Sequence, residues 1–243
     1  CRQIKSKLSW ESDWVVMYHY GGKALIFGAS GGIGLAFSKF LEQKLGSENV
    51  VKVSRSFDGF EISDEESVFK FSESIDGPFS LIINATGVLQ TTEEGPEKTV
   101  TSVQTRPLID IITINAIGPA LLLKHFYKKL DKTKFSIFAN LSARVGSIND
   151  NRLGGWISYR SSKAALNQII KTASIEINRR NKNAVCVGLH PGTVKTKFTE
   201  KYQKNSQTIS PEASVDMMMK VIESLSIDDN GHCFAYDGSV IPA

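Results

Sequence analysis

The sequence predicts an α/β protein with one doubly wound domain, in which helices flank a mainly parallel sheet. Short apolar runs of the buried-strand type alternate with longer stretches of helical spacing along the 243 residues. That alternation is typical of βαβ units. A glycine-rich stretch from Gly28 to Gly34 joins the first apolar run to the first helical stretch, as in Rossmann-like folds. Because the chain contains neither an internal repeat nor a low-complexity linker, one domain is expected.

Apolar runs predict the strands, at residues 23–27, 49–54, 79–84, 135–141, 184–189 and 231–236. Their content of Val, Ile, Leu and Phe fits strands that are buried on both faces. The third run ends in Asn84-Ala85-Thr86-Gly87, and His190-Pro191-Gly192 ends the fifth.

Apolar residues at helical spacing predict helices at residues 35–45, 64–75, 103–130 and 158–180, and another that opens at Ser210. Acids begin the second of these, and Pro211 follows Ser210, as helix N-termini favour. Pro107 and Pro119 limit where turns of the third can begin or kink. Residues 91–98, 146–155 and 195–208 are polar and predict loops.

Composition is ordinary for a soluble globular protein, with a formal net charge of +4. Basic clusters at residues 128–134 and 179–182 lie next to predicted helix ends, so they indicate solvated ends and no nucleic-acid surface. No apolar run approaches the ~20 residues of a membrane span. Cys1, Cys186 and Cys233 lack close spacing, which argues against a disulfide framework or a metal site. A reducing compartment such as the cytoplasm is expected.

Residues 1–22 form an N-terminal extension ahead of the predicted domain, residues 23–243. The segment begins with Cys1 and carries Arg2, Lys5 and Lys7 before its first acid, Glu11. A chain extension is the favoured interpretation. The remnant of an organelle-import segment stays open, although a clear Arg/Ser-rich amphipathic pattern is missing.

Gly28, Gly32 and Gly34 predict a nucleotide site. Glycines between a strand and a helix permit a tight turn and a close approach of the backbone to a pyrophosphate, for which the helix N-terminus adds amide donors. The spacing G-x-x-x-G-x-G is not the common dinucleotide fingerprint, and a bare glycine cluster also fits a simple turn. The strand–loop–helix context favours the nucleotide, so the intervening Ser30, Gly31 and Ile33 are expected at the same site.

The residues after the second strand, Ser54-Arg55-Ser56, indicate the cofactor. An acid there would bind a free adenosine ribose and favour NAD. A guanidinium with two hydroxyls suits a 2′-phosphate, so NADP(H) is expected, with NAD(H) still possible. A solvent-exposed arginine is the plainer alternative.

Tyr159 and Lys163 stand four residues apart at the start of the predicted helix 158–180, so they share one face. A neighbouring ammonium favours the phenolate, and such a tyrosine can exchange a proton with a substrate oxygen near neutral pH. Alone, the pair is common, and a solvated helix face is the simpler explanation.

Taken together, the motifs resemble those of the classical short-chain dehydrogenases/reductases. Their order and spacing match from residue 23 to residue 243, through the glycine loop, Asn84-Ala85-Thr86-Gly87, Asn115, Tyr159 with Lys163, and Pro191-Gly192. Pro96-Glu97-Lys98, residues 123–126 and residues 142–151 look like the C-factor-like branch, which also resembles insect sniffer-type carbonyl reductases.

The resemblance implies a role for each matching residue. Tyr159 is expected to be the general acid/base, Lys163 to bind the nicotinamide ribose and lower the pKa of the tyrosine, and Asn115 to hold a water in a proton relay. Besides these residues and the glycine loop, the expected cofactor contacts are Arg55, Glu61, Asn84, Ala85, Gly87, Pro191, Gly192, Val194 and Thr196.

One family position does not match. The family's catalytic serine lies three residues before a glycine, and counting back from Gly146 gives Ala143. Ser142 is the nearest candidate and Ser147 the next. Either hydroxyl, or neither, is expected to reach the substrate oxygen. His190 is interpreted as a packed neighbour of the site.

The sequence therefore predicts an NADPH-dependent oxidoreductase that reversibly transfers hydride to a small-molecule carbonyl compound. Trp156 and Leu153 are expected to line a partly apolar pocket, with residues 195–208 closing over it. The alternative is a nucleotide-binding signalling or interaction protein with little turnover, which Ala143 and the C-factor resemblance motivate. The family also implies a homodimer or homotetramer.

Overall fold

A computed structural model describes residues 21–199 and 208–243, which form one α/β unit around a six-stranded sheet. Its strands run in the order β2-β1-β3-β4-β5-β6, and every neighbouring pair is parallel. The strands are β1 Lys23–Phe27, β2 Val50–Val53, β3 Phe79–Asn84, β4 Ser136–Leu141, β5 Ala184–His190 and β6 Cys233–Ala235. The predicted doubly wound fold is confirmed.

Helices cover both faces of this sheet. They are α1 Gly32–Leu45, α2 Arg55–Asp58, α3 Glu65–Ser74, α4 Thr105–Ile112, α5 Gly118–Phe126, α6 Ile157–Arg180 and α7 Pro211–Ser224. A π-helical turn, Thr113–Ile117, joins α4 to α5. Asp64 caps α3, and Ser210 caps α7.

Two apolar cores result, because successive strand side chains point to opposite faces. Ala24 and Ile26 of β1 lie in the core that contains α1 and α7, whereas Leu25 and Phe27 lie in the core that contains α3, α5 and α6. Phe27 meets Phe126 of α5 edge to face at 4.9 Å. Burial on both faces explains why the strands read as continuous apolar runs.

Several strands and helices depart from their predicted bounds by one to three residues, and two helical regions differ in kind. α1 begins at Gly32, and β5 continues through His190. α2 was not predicted: Ser54 accepts a hydrogen bond from the Phe57 amide at 3.2 Å and so caps a short helix. The predicted helix 103–130 is interrupted by the π turn.

One described stretch, Thr105–Lys129, is a weak candidate for a membrane span. The stretch Thr105–Lys129 has the length, 25 residues, and the mean hydropathy, 1.4, of a membrane span. In the structure its residues Ile111, Leu122 and Phe126 are buried within the protein. A core helix of a soluble protein meets the same criterion, so this stretch is weak support for a span.

Residues 1–20 of the predicted N-terminal extension and residues 200–207 of the predicted loop 195–208 lie outside the described residues. The described strands bring their carboxyl ends to one edge of the sheet. Chain order reverses there, since β1 lies between β2 and β3 and the sheet continues from β3 to β4. Ligands of open α/β sheets bind at such a switch point, and the predicted glycine turn after β1 and the Asn84 motif after β3 lie on its two sides.

Candidate active site

A tight glycine turn follows β1. Gly28 has φ +78°, and a Cβ on it would lie 2.9 Å from the Ala85 carbonyl. A Cβ on Gly34 would lie 2.1 Å from the Gly28 oxygen, and the Gly31 amide donates to that same oxygen at 3.0 Å. α1 then begins at Gly32, and its first turn reads Gly-Ile-Gly-Leu, without an acid. The turn therefore offers helix N-terminal amides to an anion, and it fits a pyrophosphate.

The other residues of the turn take different positions. Ser30 is exposed at its tip, and Ile33 is half-buried against the α1 core. A Cβ on Gly32 would lie 2.7 Å from the Thr196 methyl. The segment after β5 therefore reaches the glycine turn.

That segment is held in place by its own contacts. Gly192 has φ +79°, and a Cβ on it would meet the Tyr236 ring at 2.8 Å. Ser214 of α7 donates to the Pro191 oxygen at 2.7 Å, and buried Val194 pairs with Ile209 in an isolated bridge.

The Asn84 motif forms a rigid corner beside the turn. Asn84 is buried, donates to Asn140 at 3.2 Å, and accepts from the Thr86 hydroxyl at 2.6 Å. The Ala85 amide donates to the Phe27 oxygen at 2.9 Å. The corner ends at Gly87, where a Cβ would lie 3.2 Å from Asn115 Oδ1 and 3.6 Å from Lys163 Nζ.

Asn115 lies in the π turn and is fully buried. Its Oδ1 accepts from the Val88 amide at 2.8 Å, and its Nδ2 donates to the Val88 oxygen at 2.7 Å and to Ser162 Oγ at 3.0 Å. One side chain therefore fixes the chain after β3 against α6.

Lys163 is buried, and its ammonium donates to the Leu141 oxygen at the end of β4 at 2.8 Å. The ammonium also lies 5.9 Å from the centroid of the Tyr159 ring. Burial lowers the pKa of Lys163 to about 8, because the charged form loses its hydration. The buried amine lies in one polar cluster with Gly87 and Asn115.

Tyr159 is 8% exposed and lies between two aromatic rings. The ring centroids of Trp156 and Phe198 are 6.3 and 6.2 Å from its own, both edge to face. Burial raises the pKa of the phenol. The expectation that Lys163 lowers this pKa is therefore not met in this structure, since burial raises it, and the Lys163 ammonium bonds to the Leu141 oxygen.

The two serine candidates point to other partners. Ser142 donates to Asn167 Oδ1 of α6 at 2.5 Å, and Ser147 donates to the Ala243 oxygen at 3.3 Å. Ala143 packs in one apolar cluster with Tyr159 and Leu89. Since neighbouring residues of extended chain face opposite ways, the position beside Tyr159 belongs to Ala143.

Arg55 begins α2, and its side chain is 82% exposed. Its guanidinium lies 3.8 Å from the Glu61 carboxylate. The Ser54 hydroxyl accepts the capping hydrogen bond of α2, and the Ser54 amide donates to Asp58 at 3.1 Å. Of the expected phosphate ligands, Arg55 and exposed Ser56 therefore remain accessible.

Two residues near Tyr159 were missed from the sequence as parts of the site. Phe198 stood in a polar stretch, where a single aromatic gave no periodic signal. Glu97 was noted only as part of a branch motif. It contacts the start of α6 from 61 positions away, a separation that no local pattern reveals.

The fold and this geometry place the chain in a known class. A sequence model of the short chain dehydrogenases matches residues 53–207, and the chain belongs to that family.

Among its relatives, an uncharacterized oxidoreductase of Schizosaccharomyces pombe is 36% identical over 141 residues, which cover 53% of this chain and 55% of that protein. The C-signal protein of Myxococcus xanthus is 31% identical over 166 residues, 68% of this chain and 93% of that protein, which agrees with the C-factor-like resemblance. The chain spans about half the length of the S. pombe relatives it matches.

Solved structures agree with the fold. An NADPH-bound carbonyl reductase from chicken fatty liver superimposes with a TM-score of 0.75 at 27% identity, over 93% of this chain and 97% of that one. The carbonyl reductase Sniffer of Drosophila melanogaster, at 22% identity, gives 0.74 over 91% and 99%, and this likeness concerns the fold alone.

Proposed function

We propose that the chain is an NADPH-dependent reductase of apolar carbonyl compounds, with Tyr159 as the proton donor. The observation that carries the proposal is the buried Tyr159–Lys163 pair at the sheet edge that also holds the glycine turn. Family membership and the NADPH-bound chicken enzyme support the reaction class and the cofactor.

The residues divide the work as follows. When bound, a reduced nicotinamide supplies hydride. Amides of the glycine turn would hold the pyrophosphate of the dinucleotide, and Arg55 would hold its 2′-phosphate. Tyr159 is protonated at neutral pH, because burial raises its pKa, and it donates that proton to the substrate oxygen as the carbonyl carbon is reduced.

The phenolate left behind then regains a proton. Lys163 stabilises it as a nearby cation and can return a proton to it, since its own pKa of about 8 lies close to neutrality. Asn115 keeps the Val88 backbone against α6 and thereby fixes the chain beside Lys163.

The surroundings of Tyr159 favour an apolar substrate. Trp156 and Phe198 flank its ring, and Ala143 and Leu89 share its cluster. Leu153, 91% exposed, and exposed Ile148 lie on the neighbouring loop. A substrate would place its oxygen at the phenol and its hydrocarbon part against these side chains.

The test is NADPH oxidation against a panel of aldehydes, ketones and quinones. Tyr159→Phe keeps the ring and removes the proton donor, so we expect its kcat to fall by roughly a thousandfold with NADPH affinity unchanged. If the wild-type chain binds NADPH tightly but turns over no member of the panel, the alternative of a nucleotide-binding interaction protein replaces this proposal. Failure to bind either dinucleotide would overturn both.

Assembly belongs to the proposal as well. A groove of about 340 Å³ runs between α5 and α6, lined by residues that include Leu123, Tyr127 and Ile169. We expect these helices to form the contact of a homodimer or homotetramer, which sedimentation velocity measures. Residence in the cytoplasm or another reducing compartment stays a prediction.

A further inference from the structure

Helix α6, which carries Tyr159, starts from an unfavourable conformation. Its N-cap residue, Trp156, has φ +54° and ψ +42°, a left-handed conformation that is unfavourable for a bulky side chain. Gly154 and Gly155 before it also have positive φ, at +63° and +65°. An indole only donates hydrogen bonds, so the first-turn amides of α6 need an acceptor from elsewhere.

Glu97 supplies those acceptors from the loop after β3. Its backbone oxygen accepts from the Trp156 amide at 2.5 Å. Its carboxylate accepts from the Ser158 amide at 3.3 Å and from the Ser158 hydroxyl. Ser158 is fully buried. One residue therefore caps the helix in place of the missing local cap, and its charge suits the positive end of the helix.

The backbone of the same loop fits closely against the turn before α6. A Cβ on Gly155 would lie 3.4 Å from the Lys98 oxygen and 3.5 Å from the Glu97 oxygen. The loop is anchored at its other end by the bonds between Asn115 and Val88. It therefore links the cofactor corner to the helix start, with Glu97 as its last contact.

This contact acts on the residue directly before Tyr159. We propose that Glu97 is a positioning residue, which fixes the first turn of α6 and so aims the Tyr159 phenol at the substrate oxygen. Lys163, one turn further on, has its own anchor in the Leu141 oxygen. Loss of Glu97 therefore misplaces Tyr159 and leaves Lys163 and the cofactor site in place. The inference rests on the proposed role of Tyr159 as proton donor.

Three variants test it. Glu97→Ala removes the carboxylate. Glu97→Gln keeps the length and one oxygen acceptor for Ser158, and it carries the test if the alanine variant fails to fold. Glu94→Ala is the matched control, because it removes an exposed carboxylate from the same loop. We expect kcat to fall about a hundredfold in Glu97→Ala and less in Glu97→Gln, with no change in Glu94→Ala. The Kd for NADPH should stay within about twofold in all three.

A double variant separates positioning from general damage. If Glu97 acts through Tyr159, Glu97→Ala adds no further loss of kcat to Tyr159→Phe. Additive losses, or a loss of NADPH binding as large as the loss of kcat, would show a general structural role and overturn the inference. Wild-type kcat in Glu97→Ala would do the same and leave the proposed function intact.

A readout without turnover keeps the two proposals distinguishable. Hydrogen exchange of the amides at the start of α6 is followed by mass spectrometry. We expect faster exchange there in Glu97→Ala or Glu97→Gln, because the first turn loses its cap, and no change in Glu94→Ala. Unchanged exchange in both Glu97 variants would overturn the positioning role even if the wild-type chain reduced no carbonyl compound.

Discussion

The two sides of the candidate site differ in what fixes their shape. On the side of the glycine turn, the shape depends on glycines. Gly28 and Gly34 have no Cβ, so the backbone segments approach more closely there than any other residue would allow. On the side of α6, long polar side chains act across the fold. Asn115, Glu97 and Lys163 each reach a backbone group far away in sequence. The first side should thus be sensitive to added atoms, and the second to removed atoms and lost charge.

The largest effect is expected at the glycine turn. Gly34→Ala puts a methyl 2.1 Å from the backbone oxygen of Gly28, which cannot rotate away. We expect a loss of about 3 kcal/mol or more in the free energy of unfolding, or no folding at all. Gly31→Ala is the control, since its φ is −74° and its added Cβ would lie 3.4 Å from the same oxygen. Equal denaturation midpoints for the two variants would contradict this account.

The side of α6 should respond to pH. Burial lowers the pKa of Lys163 to about 8, so its positive charge is lost as the pH rises through that value, whereas the raised pKa of Tyr159 keeps the phenol protonated there. We expect kcat/KM for reduction to fall about tenfold per pH unit above the Lys163 pKa, since this ratio reports groups of the free enzyme. Lys163→Arg holds its charge to higher pH. A descending limb that stays where it is in that variant would point to another group.

Cofactor preference should depend on a smaller, exposed contact. Arg55→Ala is expected to raise the Kd for NADPH about tenfold and to leave that for NADH unchanged, because only NADPH carries the 2′-phosphate. Glu61→Gln should lower the Kd for NADPH by less than tenfold, since it removes the carboxylate that lies 3.8 Å from the Arg55 guanidinium. Fluorescence titration with both dinucleotides measures these shifts. Equal weakening of both by Arg55→Ala would exclude phosphate recognition.

The smallest effect on rate is expected at Ser142. Its hydroxyl is bonded to Asn167, so Ser142→Ala should keep kcat within about twofold and lower the free energy of unfolding by ~1 kcal/mol. Ala143→Ser places a hydroxyl in the cluster with Tyr159 and should raise kcat, because it adds a donor for the substrate oxygen. A drop in Ser142→Ala comparable to that in Tyr159→Phe would restore Ser142 to the chemistry.

Local pattern was enough for most of the fold. The strand Phe79–Asn84 was predicted to the residue, because a run buried on both faces has sharp apolar limits. The π turn was not predicted, and its residue Asn115 binds Val88 in another segment of the chain. The short helix α2 was also missed, although its cap is local: the Ser54 hydroxyl accepts from the Phe57 amide.

The site was predictable to the same extent. The carboxyl ends of parallel strands share an edge, which places Gly28 and Asn84 near each other. Asn115, Tyr159 and Lys163 lie on helical elements, and only the family resemblance assigned them to the same site. The serine could not be assigned from the sequence, because neighbouring residues of an extended chain face opposite ways. A shift of one position therefore decides whether a hydroxyl faces α6 or Tyr159. The pKa of Tyr159 turned on burial, which sequence spacing does not measure.

The π turn at Thr113–Ile117 has a consequence for helical phase. Its wider i to i+5 turns hold one residue more than α-helical turns do, so α4 and α5 are out of step by one position. Each α-helical residue advances the helix by about 100°. Deleting one residue from this stretch would restore regular hydrogen bonding and rotate α4 against α5 by about that angle. Either Ile111 would leave the core, or Asn115 would turn away from Val88. The π turn thus lets Ile111 pack in the core while Asn115 faces Val88, which a regular α-helix through this stretch would not allow.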